Sequence, residues 1–464
     1  MLVDVPRLEG ARVTVMGLGL FDAGVGVTKY LCRSGARVTV TDLKSAEDLH
    51  ASVAELAGWP VEFHLGEHRE KDFRQADLVV ASPGVPLDSP WLSLAPAVET
   101  ELNLFVKLCR ARTVYGITGS NGKTTTTTLI ARILEQGPRR TWLGGNIGVS
   151  LLPVVDEIAP EDVVVLELSS FQLENLDAIR RSPQVAVVLN VTPNHLDRHG
   201  SMDRYVAAKR AIVAHQGDGG LRVLNADDPV VRNFAGGTTR WFGETGDAMS
   251  GTWIQGESIH HGGRVLDVSA RRLAGRFHLH NMAAAVAATA GAFDGWGDAA
   301  EQVFGSFAGV EHRMEYVVER DGVTYYDDSI ATTPERTLAA LDTLTGPLVI
   351  LLGGYDKKLP FADLGRRVRE RCRAAVVFGQ TADAIAESLR PRETVAESVR
   401  MRESPGEPDG FELHRAASFD DAVAAARSVA RPGDTVLLSP ACASYGMFGN
   451  FVERGRRFKE LVRG

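Results

Sequence analysis

Apolar residues in this chain gather in short runs separated by longer amphipathic stretches, the pattern of strands alternating with helices. Between Ala11 and Asp42 an apolar run (Val13 to Met16) leads through a glycine-rich turn and a helical stretch to a second run, Val38 to Val40, ending in Thr41 and Asp42. That order is a βαβ unit. A later strand, Asp77 to Val80, runs into Ala81-Ser82-Pro83-Gly84-Val85. A second series starts near Arg112 with a strand from Thr113 to Thr118, a Gly-rich loop, and a helix whose Leu129, Ile130, Ile133 and Leu134 share one face. Strands at Val163 to Leu168 and Val185 to Val191 and a helix from about Met202 to Val213 continue it. Trp241 to Ala270 predicts a small β excursion, and a helix near Asn281 to Phe293 closes the series. The third series begins at about Glu311, with strands at Val323 to Tyr326, Leu348 to Leu352, Ala375 to Phe378 and Thr435 to Leu438. Pro391 to Gly410, rich in Pro, Glu and Arg, reads as a flexible loop.

The 464 residues exceed what one core organises, so several domains are expected. The expected fold class is α/β in three domains: a Rossmann-like N-terminal domain (1–110), a central P-loop ATPase-like domain (111–310) and a C-terminal Rossmann-like domain (311–464). With 44% apolar and 24% charged residues the composition is globular, and no apolar run nears the roughly 20 residues that cross a bilayer. Met1 to Ala11 lacks the basic start and apolar stretch of a secretory signal, so a cytoplasmic location is expected. A net charge of -8 opposes non-specific binding to nucleic acid or anionic membrane, so a polyanionic ligand needs a local positive site. The cysteines, at 32, 109, 372 and 442, form no CxxC pair, which argues against a disulfide framework or a zinc site.

Candidate chemistry sits where strands end. Gly17 and Gly19 open the first turn as a dinucleotide fingerprint does, but Asp22 holds its third glycine position. Such a turn can present N–H groups to a diphosphate, and Asp42 is placed to accept ribose hydroxyls. An ordinary tight turn explains these residues equally well. In the second series Gly119-Ser120-Asn121-Gly122-Lys123-Thr124 keeps the core of a P-loop, although Ile117 stands where the strict pattern has its first glycine. Lys123 can neutralise β and γ phosphates and Thr124 can hold Mg²⁺. A glycine turn with a solvated lysine is the competing reading, and the strand, loop and helix order favours ATP. Glu167 ends a buried strand, where a carboxylate calls for a cation or donors. Taken alone, His195 would be a structural hydrogen-bonder and Lys209, one turn after Tyr205, a solvated surface lysine.

Together these segments resemble the Mur ligases. The similarity is carried by Gly116 to Thr125, Gly144-Gly145-Asn146-Ile147-Gly148, Glu167 with Ser169-Ser170-Phe171-Gln172, the His195 loop, Tyr205 to Lys209, Asn225-Ala226-Asp227-Asp228, His280-Asn281, His312-Arg313, Asp328-Ser329 and Leu438 to Ser444. Phe171 to Glu174, Pro440 to Ser444 and the first domain look most like the glutamate-adding, MurD-like branch. The resemblance implies a ligase of peptidoglycan precursor synthesis whose partners are UDP-N-acetylmuramoyl-L-alanine and glutamate and whose cofactors are ATP and Mg²⁺. It assigns Gly19, Leu20, Asp42, Ser82 and Gly84 to the UDP group, and Asn146 and His195 to the muramoyl end. Gly119, Ser120, Asn121, Gly122, Lys123, Thr124 and Thr125 would bind ATP, with Asn281, Arg313 and Asp328 on its adenine, phosphate and ribose. Thr124, Glu167, His195 and Lys209 are the implied metal ligands, Lys209 after carbamylation. Thr332, Lys357, Ser444 and Phe451 match positions around the acceptor.

The implied reaction activates the alanyl carboxylate as an acyl phosphate, which the amine of glutamate then attacks. One departure bears on the acceptor: Ile330 replaces a lysine usual in D-glutamate-adding enzymes, and Ser329 to Pro334 looks like a smaller branch that adds L-glutamate ahead of a separate epimerase. L-glutamate is therefore the expected acceptor, with D-glutamate the alternative. Ala284 stands where the family often has a second Asn. Rival readings are a folate glutamate-adding relative, which the first domain opposes, a non-catalytic nucleotide-binding regulator, and an NAD-binding dehydrogenase.

Overall fold

The computed structural model describes residues 8–18, 22–82, 85, 89–147, 150–193, 196–244, 251–273, 276–341, 344, 346–356, 359–390 and 410–464. The chain forms two compact units, Met1–Ser269 with Leu279–Val303, and Ala270–His278 with Phe304–Gly464. Among the described residues no helix is long and apolar enough to cross a membrane.

The first unit holds two sheets. Strands β1 (Arg12–Met16), β2 (Arg37–Asp42), β3 (Val61–Leu65), β4 (Leu78–Ala81) and β5 (Val98–Thr100) pair in the order β3-β2-β1-β4-β5, all in parallel. Alternation within β1 covers both faces, as a parallel sheet requires. Val13 and Val15 join the core that includes Val27 and Leu31, while Met16 packs with Phe73 and Leu92 on the other side. The reversal of strand order between β1 and β4 opens a crevice at their carboxyl ends.

The second sheet has nine strands: β6 (Thr113–Thr118), β7 (Thr141–Gly145), β8 (Val163–Glu167), β9 (Val185–Val188), β10 (Leu221–Asn225), β11 (Thr238–Gly243), β12 (Gly251–Gln255), β13 (Ser258–His261) and β14 (Arg264–Asp267). The segment expected to be a small β excursion prolongs this sheet: β11 and β12 add in parallel, then β13 and β14 fold back antiparallel. The two sheets of this unit share one core. The helix Asp22–Arg33 packs on the 3-10 turn Leu152–Glu157, so closely that a Cβ at Gly26 would meet Pro153 Cγ at 3.1 Å, and Asn103 Nδ2 donates to the Asn175 carbonyl at 3.3 Å. The helix expected from Asn281 spans Phe277–Thr289, ending before Gly291 at φ 79°.

The second unit is built on β15 (Glu315–Arg320), β16 (Val323–Asp327), β17 (Leu348–Gly353), β18 (Cys372–Phe378), β19 (Glu412–Arg415) and β20 (Thr435–Leu438), in the order β15-β16-β20-β17-β18-β19. β17 is buried along its whole length. The edge strands β15 and β19 carry charged residues, as edges do: Glu315, Glu319 and Arg320 on the first, Glu412 and Arg415 on the second. Residues 391–409, expected to be a flexible loop, lie outside the described residues.

The last helix, Phe451–Arg463, lies so near the turn before β15 that a Cβ on Gly455 would come 2.1 Å from His312 Nδ1 and 2.6 Å from Asp327 Oδ2. Those two groups are already joined, Nδ1 to Oδ2, at 2.7 Å. Gly455→Ala is therefore expected to destabilise this unit by about 1–3 kcal/mol, the usual cost of overpacking, seen as a lower denaturation midpoint for the unit.

Candidate active site

Strand β6 delivers the chain to the phosphate-type loop. Ile117, the departure from the strict pattern, is a strand residue with 0% exposure, so the loop proper starts at Gly119. Gly122 caps the helix Lys123–Leu134 at φ 81°, and a Cβ there would lie 2.3 Å from Asn281 Oδ1. Glycine alone fits that turn. The loop is tied to the chain leaving β9: Ser120 N donates to the Asn190 carbonyl at 2.9 Å, Ser120 Oγ to the Thr192 carbonyl at 2.9 Å, and Asn121 N to Asn190 Oδ1 at 2.8 Å. Lys123 Nζ donates to the Gly119 and Ser120 carbonyls, each at 3.0 Å. Thr125 is half-buried in the first helical turn, and Thr126 Oγ1 bonds Asn281 Oδ1 at 3.3 Å. This helix N-terminus supplies the N–H groups and dipole that attract phosphate.

Glu167 closes β8 beside the loop and is 1% exposed. Thr124 Oγ1 donates to its Oε2 at 2.6 Å and Asn146 Nδ2 to its Oε1 at 2.8 Å. A buried carboxylate held by a threonine hydroxyl and an amide, both neutral, is the hard-oxygen set that suits Mg²⁺. Lys209 enters from the helix Met202–Ala214 and is 1% exposed, which corrects the solvated-surface reading of it taken alone. Its Nζ donates to the Gly119 carbonyl at 3.0 Å and to Thr118 Oγ1 at 3.4 Å. Burial and then the like charge of Lys123 pull its pKa down to about 7, against the opposing pull of Glu167.

At the crevice of the first sheet, Asp42 accepts from Leu18 N at 2.9 Å through Oδ2 and from Lys44 N at 2.9 Å through Oδ1. Ser82 donates from Oγ to the Gly17 carbonyl and from N to the Met16 carbonyl, the latter at 3.0 Å. Asp42 and Ser82 thus brace the same glycine turn from the ends of the two strands that flank β1.

In the second unit the candidates gather at the carboxyl ends of β16 and β20. Asp328 accepts from Ser439 Oγ at 2.8 Å and from Met314 N at 3.2 Å. Burial pushes its carboxyl up to about 7, opposed by the Ser439 hydrogen bond and the charge of Arg313. Ser329 Oγ donates to the Phe451 carbonyl at 2.8 Å. Arg454, 1% exposed, donates to Ser329 Oγ, the Ser329 carbonyl and the Cys442 carbonyl at 3.0, 2.8 and 3.0 Å. It clamps the turn that holds Asp328 to the segment that holds the buried Ser444. Thr332 is half-buried, its N–H on the Ile330 carbonyl at 2.8 Å.

The structure therefore joins Gly119 to Thr125, Asn146, Glu167, Lys209 and Asn281 in one cluster, Asp42 with Ser82 in a second, and Arg313, Asp328, Thr332, Ser444 and Phe451 in a third within the other unit. Gly19, Leu20, Gly84, His195 and Lys357 lie outside the described residues. Sequence reasoning missed Arg454 and His199. Arg454 was within reach: it shares a helical stripe with the buried Phe458 and Val462, an unusual company for a charge.

Profiles described as Mur ligase MurD-like N-terminal domain, Mur ligase middle domain, and Mur ligase glutamate ligase domain match residues 11–103, 117–289 and 312–442. A protein of Roseiflexus sp. (strain RS-1), named UDP-N-acetylmuramoylalanine–D-glutamate ligase, is 42% identical over 98% of this chain and 99% of its own length. The chain belongs to the Mur ligase family. This Mur ligase is an ATP-dependent enzyme that forms amide bonds. A protein of the same name from Symbiobacterium thermophilum is 43% identical over 97% of each chain. Among solved structures, MurF from Thermotoga maritima in complex with ADP superposes with a TM-score of 0.55 at 20% identity over 99% of both chains, a likeness of fold.

The relatives' names carry the D hand of glutamate, against the expected L-glutamate and the separate epimerase that went with it. The physical reason lies in the turn itself. An aliphatic Ile330 does not leave its turn without a cation, because the exposed Arg336 donates from NH1 to the Ile330 carbonyl at 3.1 Å.

Proposed function

We propose that this enzyme joins D-glutamate to UDP-N-acetylmuramoyl-L-alanine with cleavage of ATP, in the cytoplasm, as a step of peptidoglycan precursor synthesis. The observation that carries the reading is likeness along essentially the whole chain to relatives named for that reaction. The buried set Thr124, Glu167 and Lys209 at a phosphate-type loop supports it independently. In this reading the boundaries fall at 110/111 and 310/311, giving a UDP-binding domain, an ATP domain and an acceptor domain.

Lys123 and the loop amides from Gly119 to Thr125 hold the triphosphate, drawing charge off the γ-phosphate as the alanyl carboxylate attacks it, the bond to the β–γ bridging oxygen breaks, and ADP leaves an acyl phosphate behind. Thr124, Glu167, His195 and a carbamylated Lys209 would hold Mg²⁺, which spreads the negative charge of the transferring phosphoryl group when bound. Asn281, Arg313 and Asp328 orient the nucleotide. Gly19, Leu20, Asp42, Ser82 and Gly84 receive the UDP group, Asn146 the muramoyl end, and Thr332, Lys357, Ser444 and Phe451 the glutamate. Its amine attacks the acyl carbonyl, phosphate leaves, and a proton from the amine is released to solvent.

The test is phosphate release with ATP, Mg²⁺ and the nucleotide-sugar, run in parallel with D- and L-glutamate. Turnover dependent on glutamate and faster with the D form is expected. Faster turnover with L-glutamate would overturn the stereochemical part, and ATP binding without turnover would overturn the ligase reading.

A further inference from the structure

His199 is a buried imidazole that the reaction as proposed does not use. It is 4% exposed and follows His195 by four residues. Its Nε2 lies 2.9 Å from Ser170 Oγ and its Nδ1 lies 3.3 Å from Glu174 Oε1, so both ring nitrogens have fixed partners. The ring stacks parallel on Phe171, with centroids 4.9 Å apart and planes 4° apart, and tilts against Tyr205 at 5.2 Å. The Arg198 guanidinium rests on the same Phe171 ring at 4.0 Å.

These partners belong to two different parts of the site. Ser170 begins the helix Ser170–Ala178, three residues after Glu167. Tyr205 stands one turn before Lys209: its hydroxyl lies 3.0 Å from Ser120 Oγ and its ring 4.7 Å from Lys209 Nζ. Glu167 comes from a strand end and Lys209 from a helix, and nothing in either element alone sets the spacing between their side chains. His199 touches the neighbour of the first and the neighbour of the second. A ring hydrogen-bonded at Nε2, with a carboxylate oxygen 3.3 Å from Nδ1, and stacked on a face has one orientation, so it transmits position instead of merely filling space.

We infer that His199 is a positioning residue, which pins the start of the Ser170 helix to Tyr205 and so fixes Glu167 against Ser120 and Lys209. The inference rests on the role proposed above for that cluster. Misplacement of reacting groups by about 1 Å costs about a hundredfold in rate, so a positioning fault falls on kcat.

The variants are His199→Phe, which keeps a ring to stack but loses both nitrogen contacts, His199→Gln, whose amide can reach Ser170, and Ser170→Ala, which removes the partner hydroxyl. For His199→Phe, kcat is expected to fall by about 10- to 100-fold. The KM values for ATP and nucleotide-sugar should stay nearly unchanged, and Mn²⁺ should bind the ADP-loaded enzyme more weakly when free Mn²⁺ is read by electron paramagnetic resonance. His199→Gln should recover much of kcat, and Ser170→Ala should show a milder form of the same signature. Parent-like kcat and Mn²⁺ binding in folded His199→Phe would overturn the inference. Should that variant not fold, unchanged kcat in Ser170→Ala overturns it instead. A parent enzyme that fails to turn over sinks the ligase reading, whereas an active parent with indifferent variants sinks only the role of His199.

Discussion

Glu167→Gln is expected to lower kcat by about a hundred- to a thousandfold, the loss typical of removing one electrostatic contributor to a transition state, while leaving the fold intact. The glutamine keeps the size of the side chain, and its amide can still pair with Thr124 Oγ1 and Asn146, which contact the two carboxylate oxygens at 2.6 and 2.8 Å. What disappears is a negative charge at a position only 1% exposed. A buried charge is a burden on the folded protein unless something cationic meets it, so the variant should melt no lower than the parent. Because a neutral amide is a poor ligand for a hard divalent cation, the Mg²⁺ concentration giving half-maximal rate should rise as kcat falls. Phosphate release across a Mg²⁺ titration, with a thermal melt of each protein, makes the check. Turnover within about threefold of the parent in a folded variant would remove Glu167 from the chemistry.

What the sequence disclosed follows from what each feature depends on. Inner parallel strands such as β8 and β17 are buried on both faces, so their apolar runs stand out. Edge strands β15 and β19 satisfy only one neighbour and keep charged residues, which leaves β19 no apolar run and β15 only the short one from Tyr316 to Val318. The phosphate-type loop was legible because its function lies in backbone N–H groups, which demand small residues at fixed spacing. Lys209 was not legible from its own surroundings: whether a lysine in a helix is solvated or buried depends on the loop packed over it, here the carbonyl of Gly119. The third cluster failed differently. Ile330 drew attention to a missing charge, but the charge near that turn comes from Arg336, six residues further on, through a contact with a backbone carbonyl that no side-chain pattern announces.

The second large effect is expected at Lys209, and there pH gives the test its sign. An ordinary lysine, with a pKa near 10.4, is neutral in only about one molecule in 2,500 at pH 7. Here the value is pulled down to about 7, so half of the amines are neutral at that pH. Only the neutral amine can add carbon dioxide, forming a nitrogen–carbon bond and releasing one proton, and the product carbamate places a negative charge where a positive one stood. Lys209→Ala should therefore lose about a hundredfold or more in kcat, and part of that loss should return with added short carboxylic acids, which put an anion into the vacated space. No recovery in a folded variant would count against carbamylation. The parent, assayed after removal of carbon dioxide, should lose activity more deeply as pH falls below about 7, because the protonated amine cannot be carbamylated. The folded protein should feel the same group in the same direction. Since the folded pKa lies below the unfolded value of 10.5, the unfolded chain binds more protons between the two, and the contribution of Lys209 to stability is lost as pH falls from above 10.5 through about 7. Lys209→Met should accordingly melt above the parent near pH 6, where the parent buries a charged lysine, and that advantage should shrink as pH rises. A melting difference that grows with pH would mean that Lys209 is not the buried, readily deprotonated amine on which carbamylation depends.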